Sequence, residues 1–150
     1  MDEKKREELL KKIEDYTKKI EKNPNNASYY YNRGNAYYSL GEYKKALEDY
    51  SKAIELNPNN ASYYYNRGNT FHNLKEYEKA IEDYSKAIEL NPNYSLAYNN
   101  RGNTFSILKE YEKAIDDYNK AIELNPNDDA SYYNRGNTFS ILKEYEKAID

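Results

Sequence analysis

The pentapeptide Tyr-Asn-Arg-Gly-Asn recurs along this chain and restricts its fold more than any other feature. Copies begin at Tyr31, Tyr65 and Tyr133, and a variant copy with asparagine in the first place begins at Asn99. Successive copies lie 34 residues apart. The four prolines keep the same period, at Pro24, Pro58, Pro92 and Pro126. Such a period indicates an array of one supersecondary unit, in which each unit packs on its neighbours and ligands bind on a surface.

Tyrosine explains how so polar a chain can fold. The mean hydropathy is −1.24 and 33% of the residues are charged, which is close to the composition of disordered chains. The chain also contains 20 tyrosines. Because a tyrosine ring buries a large apolar surface while its hydroxyl stays hydrogen-bonded, we expect a core built largely from tyrosine.

Charge and residue content exclude several classes of function. A net charge of −3 lacks the basic field that nucleic-acid backbones require, which also disfavours RNA stacked on the tyrosines. With no cysteine and a single histidine, His72, the sequence offers no disulfide, no thiolate metal site and no nucleophile–base pair. We therefore predict a protein that is not an enzyme and that binds no cofactor or metal.

The sequence shows no targeting or membrane segment. Residues 1–16 are charged throughout and lack the apolar region of a signal peptide. No other stretch approaches the apolar length needed to cross a bilayer. The default prediction is a cytoplasmic protein that does not interact with membranes.

Two amphipathic helices are predicted within each period. In residues 27–40, tyrosines, a glycine and a leucine recur at helical spacing, and residues 43–56 carry a second apolar stripe flanked by lysine and glutamate. The short connection between them favours an antiparallel pair. The second helix is expected to end before Pro58, because a residue that precedes proline is disfavoured in a helix. Asn59 or Asn60 is then placed to cap the next helix.

The spacing of these residues resembles the tetratricopeptide repeat, a family with a period of about 34 residues and fixed aromatic, glycine, alanine and proline positions. In the first full copy the matching residues are Tyr30, Arg33, Gly34, Tyr37, Ala46, Tyr50 and Pro58. One departure is systematic, since arginine occupies a position where the family often has leucine. The resemblance implies an all-α fold, a right-handed superhelical solenoid of antiparallel helix pairs.

The phase of the repeat divides the chain into five parts. Residues 1–26 form a capping helix that aligns with the second helix of a repeat, residues 27–60, 61–94 and 95–128 form three units, and residues 129–150 form a partial fourth unit. In the capping helix, Lys12 and Lys19 replace alanines of the other copies, which predicts a side that faces solvent. The fourth unit is expected to turn after Leu142 and to stop within its second helix.

The first helix of each unit carries almost no charge, and the resemblance implies that these helices line the concave face of the array. The side chains expected to face this groove are Tyr31, Asn32, Asn35, Tyr38, Tyr65, Asn66, Asn69, His72, Asn99, Asn100, Asn103, Ser106, Tyr133, Asn134, Asn137 and Ser140. An asparagine amide offers a donor and an acceptor, so it can pair with the backbone of an extended peptide.

One column of these asparagines has a parallel in a known family. Asn32, Asn66, Asn100 and Asn134 resemble the asparagine ladder in the repeat region of O-linked N-acetylglucosamine transferases, which holds substrate peptides by their backbone. The resemblance implies peptide binding at these positions. The alternative is that the amides bond neighbouring helices of the array itself.

A carboxylate clamp, as found in chaperone-binding tetratricopeptide domains, is incomplete in this sequence. Asn35 and Asn66 match its amide positions, whereas its basic positions hold Tyr31, Leu96 and Asn100. Without a cation, a carboxylate lacks its charge-assisted hydrogen bonds. We therefore expect acidic chaperone tails not to bind.

Arginine and aspartate recur together in the three full copies. The pairs are Arg33 with Asp49, Arg67 with Asp83, and Arg101 with Asp117. A bridge between the two helices of a unit is the favoured interpretation, and an anion site is the alternative. The glycine that follows each arginine is expected to allow close helix packing, since no strand precedes it as a phosphate loop would require.

Two hypotheses for function remain. The first is a protein–protein interaction scaffold that binds an extended peptide or a partner helix in an uncharged groove rich in asparagine and tyrosine. The second is a structural or self-assembling repeat, a fragment or an engineered array, with no dedicated ligand. In the second hypothesis the exposed fourth unit takes up the amino-terminal helix of another copy, which gives a homo-oligomer by end-to-end contact.

Overall fold

All regular secondary structure in residues 1–149, the part of the chain that the computed structural model describes, is α-helical. The helices are α1 Glu3–Lys22, α2 Ala27–Ser39, α3 Tyr43–Leu56, α4 Ala61–Asn73, α5 Tyr77–Leu90, α6 Ser95–Ile107, α7 Tyr111–Leu124 and α8 Asp129–Ile149. Helices α1 to α4 belong to a compact unit 1, Met1–Glu76, and helices α5 to α8 to a compact unit 2 that begins at Tyr77. The predicted all-α class is confirmed. None of these helices is both long and apolar enough to span a membrane.

Asparagine caps helices α2 and α4 of unit 1, and at Asn60 this is the cap that the sequence predicts. The side-chain oxygen of Asn26 accepts a hydrogen bond from the backbone N–H of Ser28 at 3.0 Å, and Asn60 does the same for Ser62 at 2.9 Å. These bonds satisfy backbone donors that the first turn of a helix leaves unpaired. The preceding helix α3 ends at Leu56, before Asn57 and Pro58.

A three-residue turn reverses the chain between the two helices of a pair. In unit 1 the turn contains Gly41 at φ 79°, and in unit 2 the corresponding Lys109 lies at φ 64°. The backbone N–H of Glu42 bonds the carbonyl of Tyr37 at 2.9 Å, which closes a Schellman-type helix end. The left-handed conformation suits glycine but costs a lysine about 1–2 kcal/mol, so packing of the two helices must stabilise the turn at Lys109.

Small residues and one tyrosine form the contact between paired helices. In unit 1, Ala46 and Ala53 of α3 are fully buried and Tyr50 is 1% exposed. A Cβ atom added to Gly34 of α2 would lie 2.9 Å from a ring carbon of Tyr50, so the ring occupies the space that glycine leaves open. Unit 2 repeats this contact between Gly102 of α6 and Tyr118 of α7. The predicted role of these glycines in close helix packing is confirmed.

Helix α8 differs from the sequence prediction. Residues 134–149 have the same sequence as residues 100–115, which turn after Leu108. Helix α8 instead continues without a break through Leu142 to Ile149. In the earlier copy the turn is followed by buried side chains, including Ala114, whereas Tyr145 of α8 is 58% exposed. Without helix packing to offset the cost of a left-handed lysine, the continuous helix is the favoured conformation.

Candidate functional site

The residues that the sequence predicts to face a groove lie on helices α2, α4, α6 and α8. We define polar face 1 as the side chains of α2 and α4 at Tyr31, Asn32, Asn35, Tyr38, Tyr65, Asn66, Asn69 and His72. All eight are half-buried. We define polar face 2 as the side chains of α6 and α8 at Asn100, Asn103, Tyr133, Asn134 and Asn137. These range from half-buried to exposed, with Tyr133 at 70%.

The amide of Asn35 is oriented by a buried tyrosine. The hydroxyl of Tyr50 donates a hydrogen bond to Oδ1 of Asn35 at 2.6 Å. This bond fixes which end of the amide points into the protein, so the NH2 group of Asn35 is directed away from Tyr50. In unit 2 the hydroxyl of Tyr118 holds Asn103 in the same way, also at 2.6 Å. Both asparagines therefore offer hydrogen-bond donors.

The amide of Asn66 has the opposite orientation. Its NH2 group donates to the hydroxyl of Tyr31 at 2.8 Å and to the backbone carbonyl of Ser62 at 2.9 Å. Both donor hydrogens are thereby used, and the side-chain oxygen is the group suited to accept a bond from a ligand. The contact with Tyr31 joins α4 to α2, so Asn66 also serves the structural role that the sequence left as an alternative.

Aromatic rings connect these two asparagines into one network. The ring of Tyr31 lies 5.9 Å from the ring of Tyr50 and 4.8 Å from that of Tyr63. Tyr31 thus contacts both the residue that orients Asn35 and the amide of Asn66. Rings held in this way lose little conformational freedom when a ligand binds. Polar face 1 therefore presents a fixed donor and a fixed acceptor at the two ends of the network.

Tyr38 and His72 extend polar face 1 without adding charge. Asn73 donates to the hydroxyl of Tyr38 at 2.7 Å, and the ring of Tyr38 meets that of Tyr43 edge-on at 5.3 Å. Burial raises the pKa of Tyr38 and lowers the pKa of His72. Both side chains are consequently neutral at pH 7.

Asn99 is the exception among the predicted groove residues. It is only 7% exposed, and its side-chain oxygen accepts bonds from Ser131 Oγ at 3.0 Å and from Asn134 Nδ2 at 3.4 Å. Asparagine is shorter than the tyrosine found at this position in the other copies, so its amide stays between α6 and α8. The structure therefore places Asn99 in the contact between α6 and α8, whereas the sequence predicts a position in the groove.

The predicted arginine–aspartate bridges are present within both units. Arg33 donates to Asp49 through Nε at 2.8 Å and through Nη2 at 2.7 Å, and Arg101 binds Asp117 with the same two distances. The Asp49 hydrogen bond is the main cause of a raised pKa at Arg33, whereas burial raises the pKa of Asp117 despite its arginine. These guanidinium groups are committed to the helix pair and do not provide an open anion site.

The two orienting tyrosines were not identified from the sequence. A signal was available, because an asparagine and a tyrosine 15 residues apart recur as Asn35 with Tyr50, Asn69 with Tyr84, and Asn103 with Tyr118. Sequence periodicity places each tyrosine in the core, but it does not show that the hydroxyl reaches the amide on the partner helix.

Alkaline pH is expected to weaken unit 2 through Tyr118. Burial, the largest cause, raises the pKa of Tyr118 to about 12, from 10.0 for an unperturbed tyrosine. The protonated ring is favoured by the folded state, so its stabilisation is complete below pH 10 and is lost as the pH rises toward 12. Urea unfolding at several pH values should show a smaller alkaline loss for Tyr118→Phe than for Tyr133→Phe. Equal losses would contradict this role.

Comparisons with known proteins identify the class to which this architecture belongs. Family models match residues 61–94 and 95–128 as "Tetratricopeptide repeat", residues 16–48 and 117–150 under the same description, and residues 34–75 as "TPR repeat". A comparison with curated proteins found no significant match.

Solved structures agree with the family models. MamA matches with a TM-score of 0.84 and 28% identity, over 91% of this chain and 80% of that one. The first tetratricopeptide domain of Spaghetti (RPAP3), bound to the HSP90 peptide SRMEEVD, matches with a TM-score of 0.76 and 30% identity, over 78% and 93%. The Sgt2 domain from Aspergillus fumigatus matches with a TM-score of 0.78 and 28% identity, over 83% of each chain. This chain belongs to the tetratricopeptide repeat family.

Proposed function

We propose that this protein is an interaction scaffold that binds an extended, uncharged segment of a partner protein through the backbone of that segment. The observation that carries the proposal is the opposite orientation of two fixed amides on polar face 1. Asn35 presents donors toward a peptide carbonyl, and Asn66 presents an acceptor toward a peptide N–H. An extended backbone alternates these same two groups, so the pair suits a peptide of many sequences.

The chemistry of polar face 1 supports an uncharged ligand. Two similar structures hold chaperone peptides, SRMEEVD from HSP90 and SGPTIEEVD from HSP70, and both peptides end in acidic residues. On α2 and α4 of this chain the cationic side chains are Arg33 and Arg67. Arg33 is bound to Asp49, and Arg67 donates to Ser51 at 3.3 Å and lies over the ring of Tyr64. A carboxylate on polar face 1 would therefore have to compete with these contacts for a cation.

The test begins with selection of binders from a library of random uncharged peptides displayed in extended form. The SRMEEVD peptide serves as the comparator. We expect selected uncharged peptides to bind at least tenfold more tightly than the acidic comparator. Selection of no peptide, or stronger binding of the acidic peptide, would contradict the proposal.

Two isosteric substitutions then separate the roles of the amides. Asn35→Asp keeps the oxygen that accepts from Tyr50 but removes the NH2 donors, and it is expected to weaken binding of the selected peptide by tenfold or more, in line with the ~1–3 kcal/mol cost of an unsatisfied partner. Asn66→Asp loses the hydrogen bond to the Ser62 carbonyl, which lies within α4 and away from the ligand. It keeps an acceptor oxygen for the ligand, and the Tyr31 hydroxyl can donate to the other oxygen, so binding should change less than threefold. The reverse order of effects would refute the assigned orientations.

The asparagine column provides a second, coarser test. Asn66→Ala combined with Asn100→Ala removes one amide from each polar face. The double variant is expected to bind the selected peptide at least tenfold more weakly than the wild type, as measured by calorimetry. Circular dichroism spectra of the variants serve as the control for folding. If binding survives both changes, these asparagines act only within the array, as the contact of Asn66 with Tyr31 would then suggest.

A further inference from the structure

Helix α8 has one side on which no other helix packs within the described residues. By its place in the repeat, α8 corresponds to α6, whose equivalent side is covered by α7. Among the described residues, no atom outside the backbone of α8 and the two neighbours of Gly136 lies within 4 Å of a Cβ atom placed on Gly136, although its counterpart Gly102 is tightly covered by Tyr118. Tyr133 and Phe139, which flank Gly136 on the surface of α8, are 70% and 50% exposed. This side of α8 therefore resembles the side of α6 that the second helix of the pair, α7, covers.

Helix α1 has the complementary deficiency. By sequence it corresponds to α3, and within unit 1 it packs on α2 as α3 packs on α4. Helix α3 also packs on α2, the first helix of its own pair, and α1 has no such partner within unit 1. The equivalent side of α1 borders an open cleft of about 240 Å³ between α1 and α2, lined by residues that include Leu9, Lys12, Tyr16, Asn32 and Ala36. Tyr16 is only half-buried, whereas its counterpart Tyr50 is fully buried.

Three residues of α8 and three residues of unit 1 occupy positions whose equivalents in the full copies contact each other. Arg135 holds the place of Arg33 and donates through Nη1 to Asn119 at 2.8 Å, as Arg33 does to Thr17. Asp15, which is exposed, holds the place of Asp49. Gly136 and Tyr16 hold the places of Gly34 and Tyr50. Tyr133 and Asn32 hold the places of Tyr31 and Asn66, which are hydrogen-bonded at 2.8 Å.

We propose that the exposed side of α8 docks into the α1–α2 cleft of a second copy of this chain. Asp15 of one copy then pairs with Arg135 of the other, Tyr16 covers Gly136, and its hydroxyl reaches Asn137. The contact rebuilds a helix pair from two molecules. Because the two surfaces differ, the contact is heterologous, and each added copy presents one free surface of each kind, so assembly continues end to end.

Two lysines set the strength of this association. Lys12 and Lys19 occupy the places of Ala46 and Ala53, both of which are fully buried against α2. For the second copy to dock, both lysine side chains must bend away from the contact. The lost side-chain freedom and the misfit weaken the association. Replacing both lysines with alanine is therefore expected to tighten association at least tenfold.

A charge exchange tests the geometry. Sedimentation velocity of the 150-residue chain is measured over a concentration series for the wild type, for Lys12→Ala with Lys19→Ala, and for two single charge variants made in that double-alanine background. Asp15→Arg and Arg135→Asp are each expected to abolish association, because like charges then face each other. An equimolar mixture of the two charge variants should associate again, since every contact in it pairs opposite charges. Gly136→Leu, which blocks the seat of Tyr16, should abolish association independently.

Each other outcome overturns the proposal. A double-alanine variant that remains monomeric at the highest concentration would exclude the contact. Association that persists in either charge variant or in Gly136→Leu would place the interface elsewhere. A mixture of the charge variants that stays monomeric would show that Asp15 and Arg135 do not meet. Circular dichroism spectra matching the wild type confirm that each variant is folded.

Discussion

Replacing Arg101 with methionine is expected to lower the free energy of unfolding by about 3–5 kcal/mol, because it leaves a buried carboxylate without its cation. The Asp117 side chain is 7% exposed and receives two hydrogen bonds from Arg101. Chemical denaturation monitored by circular dichroism measures the change. Arg135→Met is the matched control, since Arg135 bonds the neutral amide of Asn119, and its effect should stay below about 1 kcal/mol.

The partner substitution gives the same interpretation a second test. Asp117→Leu in the Arg101→Met background removes the unpaired charge, and it should recover most of the lost stability because an apolar pair of similar size replaces the ion pair. Equal destabilisation by Arg101→Met and Arg135→Met would show that the burial of Asp117 does not make its ion pair with Arg101 more important to the free energy of unfolding. Failure of the double variant to recover would point to packing of the arginine stem instead.

Gly102→Ala and Gly136→Ala are expected to change stability in opposite directions although the two glycines have the same sequence neighbours. A Cβ atom at position 102 would lie 2.8 Å from Tyr118 and 3.2 Å from the backbone oxygen of Ala114, so overpacking should cost about 1–3 kcal/mol. At Gly136 the space is open, and the higher helix propensity of alanine should add about 0.5–1 kcal/mol. Urea unfolding of both variants at low protein concentration measures the difference. Equal effects would contradict the helix contact described for Tyr118.

Much of the fold follows from the sequence because each unit repeats the same local signals. Asparagine caps such as Asn60, the proline period and the apolar stripes identify the helices of the full copies. The glycine beside each arginine and the tyrosine 16 residues later, as in Gly34 and Tyr50, identify how paired helices touch. These signals are local or act between adjacent helices, so periodicity is sufficient to reveal them.

The conformation of α8 could not be predicted from the sequence of the segment. Residues 100–115 and 134–149 are identical, yet the first segment turns at Lys109 and the second lies within one continuous helix. The choice depends on whether a second helix packs after the turn, which is a tertiary condition that the segment itself does not contain. Local propensity and packing therefore favour different structures for the same residues.

The orientation of the amides depends on contacts that sequence periodicity does not show. Asparagine at positions 35 and 66 predicts hydrogen bonding, but its direction depends on which neighbour reaches the amide. Tyr50 fixes the oxygen of Asn35, and Tyr31 fixes the nitrogen of Asn66. Asn99 shows the same dependence, since Ser131 and Asn134 draw its amide into the protein. Similar asparagines therefore act as donors, as acceptors or as bridges between helices, depending on which neighbours they contact.

Calorimetric titration of a selected peptide in two chemically altered forms tests backbone recognition most directly. In the first, N-methyl groups are placed at alternate residues, in one register or the other, which removes peptide N–H donors and keeps the side chains. In the second, the side chains are replaced with alanine and the backbone is kept. Recognition by Asn35 and Asn66 predicts that N-methylation weakens binding at least tenfold in one of the two alternating registers, whereas the alanine form changes it less than threefold. Binding that tolerates methylation in both registers and is lost with the alanine form would contradict the proposed function.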